Sequence, residues 1–242
     1  MKHAKSISVL IPAFNESDLL SKTVNSIFSY LEKLHLSSFE VIICVNGCTD
    51  DTEVAAKRLT EKYSCVSFVS ITERGFGLAL NEGIRHASKE IVAFLPGDGE
   101  INPSFIGRAL ALMDDYDFIL GSRYLGGGRK NFSSSLFRGF LSLMFSLAFR
   151  LCFNHGLSEV GTVKMFKRDW AVERLSRLSE PNFAWQLQIL YEALHDNLRI
   201  AEVPAEVRIK RSSGQSKVRV FSDSLSLLLI CLRCGFRLWF FG

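Results

Sequence analysis

The chain does not open with a charged n-region followed by an apolar h-region, so export through a cleaved leader is not expected. It lacks a second cysteine pair. Cys231 and Cys234 form a single C-x-x-C in leucine-rich surroundings, so a structural zinc site is not supported. Cys44, Cys48, Cys65 and Cys152 sit mostly in apolar runs, where a thiol acts as a small hydrophobe. Massed positive charge is missing too: Lys and Arg exceed Asp and Glu by 29 to 25, and the net +4 is spread rather than clustered in the first half. Nucleic acid is therefore not an expected partner. There is no internal repeat, no low-complexity segment and no complete G-x-G-x-x-G. The stretch Arg74-Gly75-Phe76-Gly77 has part of that form, but it follows the third apolar run and lacks the glycine spacing, which argues against a dinucleotide oxidoreductase.

What is present is a regular alternation. Short apolar runs at residues 8–12, 40–45, 66–71 and 91–95 are separated by stretches with helical spacing at 16–36, 54–59 and 77–87. Strands alternating with helices require right-handed crossovers and a largely parallel sheet covered on both faces. The fold class expected is α/β. A chain of 242 residues can bury one large core, here assigned to residues 1–220 with an apolar tail at 221–242.

In such a sheet, ligands gather beyond the carboxyl ends of the strands. Four polar turns are expected to meet there, at residues 12–16, 46–51, 74–77 and 96–100. The last carries Asp98 and Glu100 with no basic residue between them. It reads either as a ligand site or as an acidic surface turn. Thr49 or Asp50 can cap the helix that follows, and the amides at its start suit an anion or a base carbonyl. Asn46 can donate and accept at once, as a base edge requires.

Further along, Gly126, Gly127 and Gly128 precede Arg129 and Lys130, which fits either a loop over phosphates or a plain surface crossing. Residues 132–153 are largely apolar but carry Arg138 and Arg150, and the tail from Leu225 is similar, with Arg233 and Arg237. Arginines at this spacing suit interfacial helices better than clean spans. Burial against the sheet is the alternative for the first stretch and an oligomer interface for the tail. Around Ser212, Ser213 and Gly214, the flanking cations read as a diphosphate clamp.

The ordered series Ser8 to Glu16, Val45 to Thr52, Gly75 to Ala79, Leu95 to Glu100, Gly121 to Tyr124 and Arg211 to Lys217 resembles the inverting family 2 glycosyltransferases. Within them it is most similar to the dolichol-phosphate mannose synthase and polyprenyl-phosphate glycosyltransferase branch. The resemblance covers about residues 6–220 and implies a GT-A fold, a nucleotide-sugar donor, a divalent cation (Mg²⁺ or Mn²⁺) and a polyprenyl-phosphate or other glycan or lipid acceptor at the cytoplasmic face of a membrane.

Carried onto this chain, the resemblance implies that Pro12, Glu16 and Asn46 line the nucleotide site, Asn46 standing where the family usually has an aspartate. Asp98 matches the second aspartate of the metal motif, Pro96 occupies the position of the first, and Glu100 is the nearby substitute. Arg123 faces donor phosphates or acceptor. Arg211 and Lys217 match the phosphate-binding R-x-x-G-x-S-K element. The acceptor-side aspartate is replaced: Ser158 falls nearest it, and Glu159 is the adjacent carboxylate. Pro96 and Asn46 also motivate a second reading, a GT-A protein with weak or lost catalysis that binds nucleotide sugar or scaffolds a partner. A nucleotidyltransferase is disfavoured, because the first turn lacks a G-x-G-x-x-R or a lysine-rich signature.

Overall fold

The computed structural model describes residues 4–123, 125, 156–158 and 160–207. Tyr124, the Gly126 to Lys130 loop, residues 132–153, Glu159, Arg211, Lys217, the tail from Leu225 and the proposed boundary at 220 lie outside the described residues, as do Cys152, Cys231 and Cys234.

The elements run β1 (Ser6–Ala13), α1 (Ser17–Leu31), β2 (Ser38–Asn46), α2 (Thr52–Lys62), β3 (Val66–Ile71), α3 (Phe76–His86), β4 (Ile91–Phe94), α4 (Ser104–Leu112), β5 (Phe118–Ser122), β6 (Val163–Lys167), α5 (Arg168–Arg174), α6 (Trp185–His195) and β7 (Ile200–Pro204). The described strands form one sheet in the order β3-β2-β1-β4-β6-β5-β7. The strands β1 to β4 pair in parallel, as the alternation with helices requires. β6 departs from that rule. It runs antiparallel to both β4 and β5, while β5 and β7 are parallel. The sheet is therefore mixed but mostly parallel.

Both faces are covered, which is why the central strands read as continuous apolar runs rather than alternating ones. Ile7, Val9, Ile11 and Ala13 of β1 point to the face packed by Leu20, Val24 and Ile27 of α1, Leu59 of α2 and Phe105 of α4. Leu10 points the other way, with Ile42, Cys44 and Phe94, to the face packed by Leu80 and Ile84 of α3 and Trp185 and Leu190 of α6. Burial pushes the Cys44 thiol up to about 12, so it acts as an inert core hydrophobe.

The chain leaves β1 outward through β2 to β3. Helix α3 then brings it back to β4 on the other side of β1. That reversal is a topological switch point, and the crevice beyond the carboxyl ends of β1, β2 and β4 is where such a sheet takes its ligand. At the opposite end, Asp117 pins the β5–β7 edge through Arg199 Nε at 3.0 Å and Lys167 Nζ at 3.2 Å. The Arg199 guanidinium pulls the Asp117 carboxyl down to about 2, against a smaller opposing effect of burial. Among the described residues, no helix is long and apolar enough to cross a membrane.

Candidate active site

The turns after β1 and β2 are stitched together by their own polar groups. Asn15 has the positive φ of 52° that asparagine tolerates. Its side-chain oxygen accepts from Thr49 N at 2.8 Å, and its amide donates to Thr49 Oγ1 at 3.1 Å. Thr52 Oγ1 accepts from Glu16 N at 2.7 Å. Asp50 accepts from Thr52 N at 3.0 Å and from Ser17 N at 3.2 Å, so one carboxylate holds the first residue of α2 and the first residue of α1 together. Burial works against its charge, but the bonds from Thr52 and Ser17 outweigh that and hold its carboxyl below the ordinary value. The N-cap position itself is Asp51, one residue after the expected Asp50, and its side chain makes no capping bond.

Asn46 ends β2 and is 3% exposed. Its Nδ2 donates to Ala13 O at 2.9 Å and its Oδ1 accepts from Gly75 N at 3.2 Å. A carbonyl can only accept and a backbone N–H can only donate, so the neighbours fix the amide's orientation. Asn46 thus links the ends of β1 and β2 to the turn before α3, and its side-chain donor and acceptor are both engaged by backbone. An aspartate here has nothing to donate to Ala13 O. Asn46→Asp is expected to destabilise the fold by about 1–3 kcal/mol at pH 7, as an unsatisfied buried group does. The deficit should shrink at pH 5, where a buried carboxyl of raised pKa regains a proton to donate. Urea unfolding at the two pH values measures this, and wild-type stability at pH 7 would refute the cross-link.

The turn before α3 offers less to an anion than its glycines imply. Gly77 N and Leu78 N both donate to Pro181 O, at 2.8 and 3.4 Å, so the first amides of α3 are capped from within the protein. Arg74 lies with its Cζ 4.1 Å from the centre of the Phe14 ring, bridging the turns after β3 and β1.

The acidic turn after β4 is held against β1 and α1. Gly97 N donates to Pro12 O at 3.2 Å, and Thr23 Oγ1 donates to Gly97 O at 2.9 Å. Asp98 Oδ1 accepts from Glu100 N at 3.0 Å, closing an Asx turn. Gly99 takes φ +69°, and a Cβ there would lie 2.8 Å from Thr23 Oγ1. Asp98 and Glu100 are both half-buried. Pro12 contributes its carbonyl to this turn from a buried position, while Glu16 is 8% exposed at the mouth of α1.

Since β2 and β4 flank β1 in parallel, Asn46 and Asp98 sit at the same end of the sheet, as the sequence led us to expect. Arg123 follows β5 and is half-buried. Its neighbour Ser122 is buried, and Ser122 Oγ lies 2.7 Å from Ser158 Oγ.

The family model for glycosyl transferase family 2 matches residues 8–175, which spans these turns. The chain belongs to glycosyl transferase family 2. It is 21% identical over 245 residues to a dolichyl-phosphate beta-glucosyltransferase of Trichomonas vaginalis, covering 96% of this chain and 75% of that protein. It is 27% identical over 124 residues to the dolichol-phosphate mannosyltransferase of Pyrococcus furiosus, covering 51% of this chain and 34% of that one. The fold matches glucosyl-3-phosphoglycerate synthase of Mycobacterium tuberculosis, solved with Mn²⁺, UDP-glucose and phosphoglyceric acid. The TM-score is 0.68 at 20% identity, over 96% of this chain and 80% of that one. At that identity the likeness establishes the GT-A architecture.

In this family 2 chain, the residues that sequence reasoning missed are those that hold the turns rather than line them. Thr23 reads as an ordinary helix residue, yet it locks the acidic turn. Glu202 reads as a polar residue in a short strand, yet its carboxylate takes both the amide and the hydroxyl of Ser158. Lys164 of β6 reads as a surface cation six residues after Ser158. It is fully buried, with Nζ donating to Gln186 Oε1 at 2.7 Å and Gly161 O at 3.0 Å.

Proposed function

We propose that this chain transfers a sugar, with inversion, from a nucleotide-sugar donor to a polyprenyl phosphate. The observation that carries the donor half is the Asp98 turn, locked by Pro12 and Thr23 beside the switch-point crevice. Among the described residues no three His, Cys, Asp or Glu side chains converge as a self-sufficient metal cage. Asp98 and Glu100 on one turn nevertheless fit a small hard cation, which takes one or two carboxylates and draws its remaining oxygens from diphosphate and water. When bound, that cation would offset the charge of the departing diphosphate.

The chain's own groups orient the reaction. Pro12, Glu16 and Asn46 form the wall of the nucleotide crevice, with Asn46 acting through backbone rather than through a base edge. Of the two roles open to Arg123, donor phosphates or acceptor, we assign it the acceptor, because its neighbour Ser122 contacts Ser158, the position of the usual acceptor-side aspartate. From sequence, Arg211 and Lys217 add cations for a phosphate, and Glu159 supplies a carboxylate near the acceptor. A phosphate acceptor arrives already ionised, so it needs no strong base, which accords with Ser158 at the position of the usual aspartate.

The names of the Trichomonas and Pyrococcus relatives support a polyprenyl-phosphate acceptor, as do the arginine-bearing apolar stretches at residues 132–153 and from Leu225, which suit the cytoplasmic face of a membrane. A small phosphorylated acid is the competing acceptor, and the weakly catalytic reading stands on Pro96 and the engaged Asn46. The test is nucleoside diphosphate release by the full chain from UDP- and GDP-sugars, with Mg²⁺, Mn²⁺ or chelator, and with polyprenyl phosphate or 3-phosphoglycerate. Metal-dependent release stimulated by the polyprenyl phosphate is expected. Stimulation by 3-phosphoglycerate alone would overturn the acceptor assignment, and no release from any donor would overturn the transfer itself.

A further inference from the structure

Leu120 of β5 pairs with Lys164 of β6 on one side and with Glu202 of β7 on the other. Paired residues in a sheet share a face, so the ammonium and the carboxylate flank Leu120 on the same face, with backbones roughly 10 Å apart across two strand spacings. Both charges act on the same short segment leading into β6. Glu202 accepts from Ser158 N at 3.0 Å and from Ser158 Oγ at 2.7 Å. Lys164 donates to Gly161 O at 3.0 Å.

The Ser158 hydroxyl donates its one hydrogen bond to Glu202, so it accepts from Ser122 Oγ across their 2.7 Å contact. Thr162 N closes onto Gly121 O at 3.0 Å. The residue after Ser122 is Arg123. The hydrogen-bonded path thus runs from Glu202 through Ser158 to the end of β5, where the acceptor-side cation is attached.

We propose that Glu202 is a positioning residue for the acceptor side of the site, acting through Ser158 and Ser122 on the placement of Arg123. It is not itself a base for the reaction. β7 lies three strands from β4, roughly 14 Å from the Asp98 turn at ordinary strand spacing, too far to share a reacting atom. A carboxylate is needed because it offers two acceptor oxygens to two donors of one residue, and charge-assisted bonds are about twice as strong as neutral ones. The role rests on the transfer reaction proposed above, but the clamp itself does not.

The experiment compares the full chain with Glu202→Ala and Glu202→Gln. Hydrogen exchange of the peptide spanning residues 156–162 should rise about tenfold or more at Ser158 in the alanine variant. With the donor and acceptor active in the wild type, kcat should fall about tenfold or more, while donor KM and the affinity for UDP or GDP with Mn²⁺ stay within about twofold. Glu202→Gln should recover part of the loss, because one amide oxygen still accepts from Ser158. Unchanged exchange would overturn the clamp whether or not the wild type transfers sugar. A loss of nucleotide affinity as large as the loss of kcat would overturn the acceptor-side assignment. A wild type inert with every donor, yet with faster exchange in the alanine variant, would support the clamp and count against the proposed reaction alone.

Discussion

Asp98→Asn is expected to lower metal-dependent sugar transfer by about 100-fold or more, a loss of roughly 2.7 kcal/mol in transition-state stabilisation, while leaving the fold intact. Asparagine keeps the oxygen that accepts from Glu100 N, so the Asx turn survives, but it removes the charge that a divalent cation would seek. Asp98→Ala removes both. It should cost about 1 kcal/mol of stability from the lost bond, a drop of about 2–4 °C in melting temperature for a domain of this size. The pair of variants separates chemistry from architecture, since both should lose turnover and only the alanine should melt measurably earlier. Mn²⁺ binding in the presence of UDP or GDP should weaken in parallel with turnover. An active preparation in which the asparagine variant keeps near-normal turnover would remove Asp98 from the site.

Gly77→Ala should be the most damaging single methyl group in the described structure. The added Cβ would lie 2.1 Å from Glu180 O and 2.8 Å from Trp185 Cβ. Trp185 cannot easily give way. It is fully buried, stacks edge-on against Phe94 and donates through Nε1 to Asn81 Oδ1 at 2.8 Å, while Asn81 in turn donates to Leu178 O at 2.6 Å. Helix propensity alone favours alanine by about 0.8–1.0 kcal/mol within a helix. Overpacking a rigid site costs about 1–3 kcal/mol and occasionally more, and a clash this close belongs at the upper end. The net expectation is a loss of about 2–3 kcal/mol, seen as a fall of roughly 4–12 °C in melting temperature. A variant as stable as the wild type would mean that residues 180–185 do not pack on α3 as described.

Gly75 and Gly77 also mark where local pattern misleads. As a sequence they look like part of a phosphate-binding fingerprint, whose glycines admit a pyrophosphate. In the fold, Gly75 N is taken by Asn46 and Gly77 N by Pro181 O, and the missing side chain at Gly77 admits Trp185 and the backbone at Glu180. The partners are protein: Asn46 for Gly75 and, for Gly77, a segment about a hundred residues further along the chain. Asn46 shows the same effect, since its donor and acceptor suit a base edge as well as they suit Ala13 O and Gly75 N. Composition cannot tell a polar residue that meets a ligand from one that joins two turns.

The sequence by itself determined the alternation of strands and helices through residue 95, the parallel first half and the end of the sheet at which the polar turns collect. Those features follow from local periodicity and from the handedness of crossovers, which need no knowledge of distant partners. It also determined family membership through the order of its turns. The tertiary structure alone decided that β6 enters antiparallel between β4 and β5, that Lys164 is buried against Gln186 rather than solvated, and that Thr23, Asn46 and Glu202 serve to hold the turns. The reason is one of range. Burial and hydrogen-bond partnership are properties of what lies across the sheet, and Thr23 with Gly97, Asn46 with Ala13 and Gly75, and Ser158 with Glu202 are pairs that only the assembled fold brings within 3.2 Å.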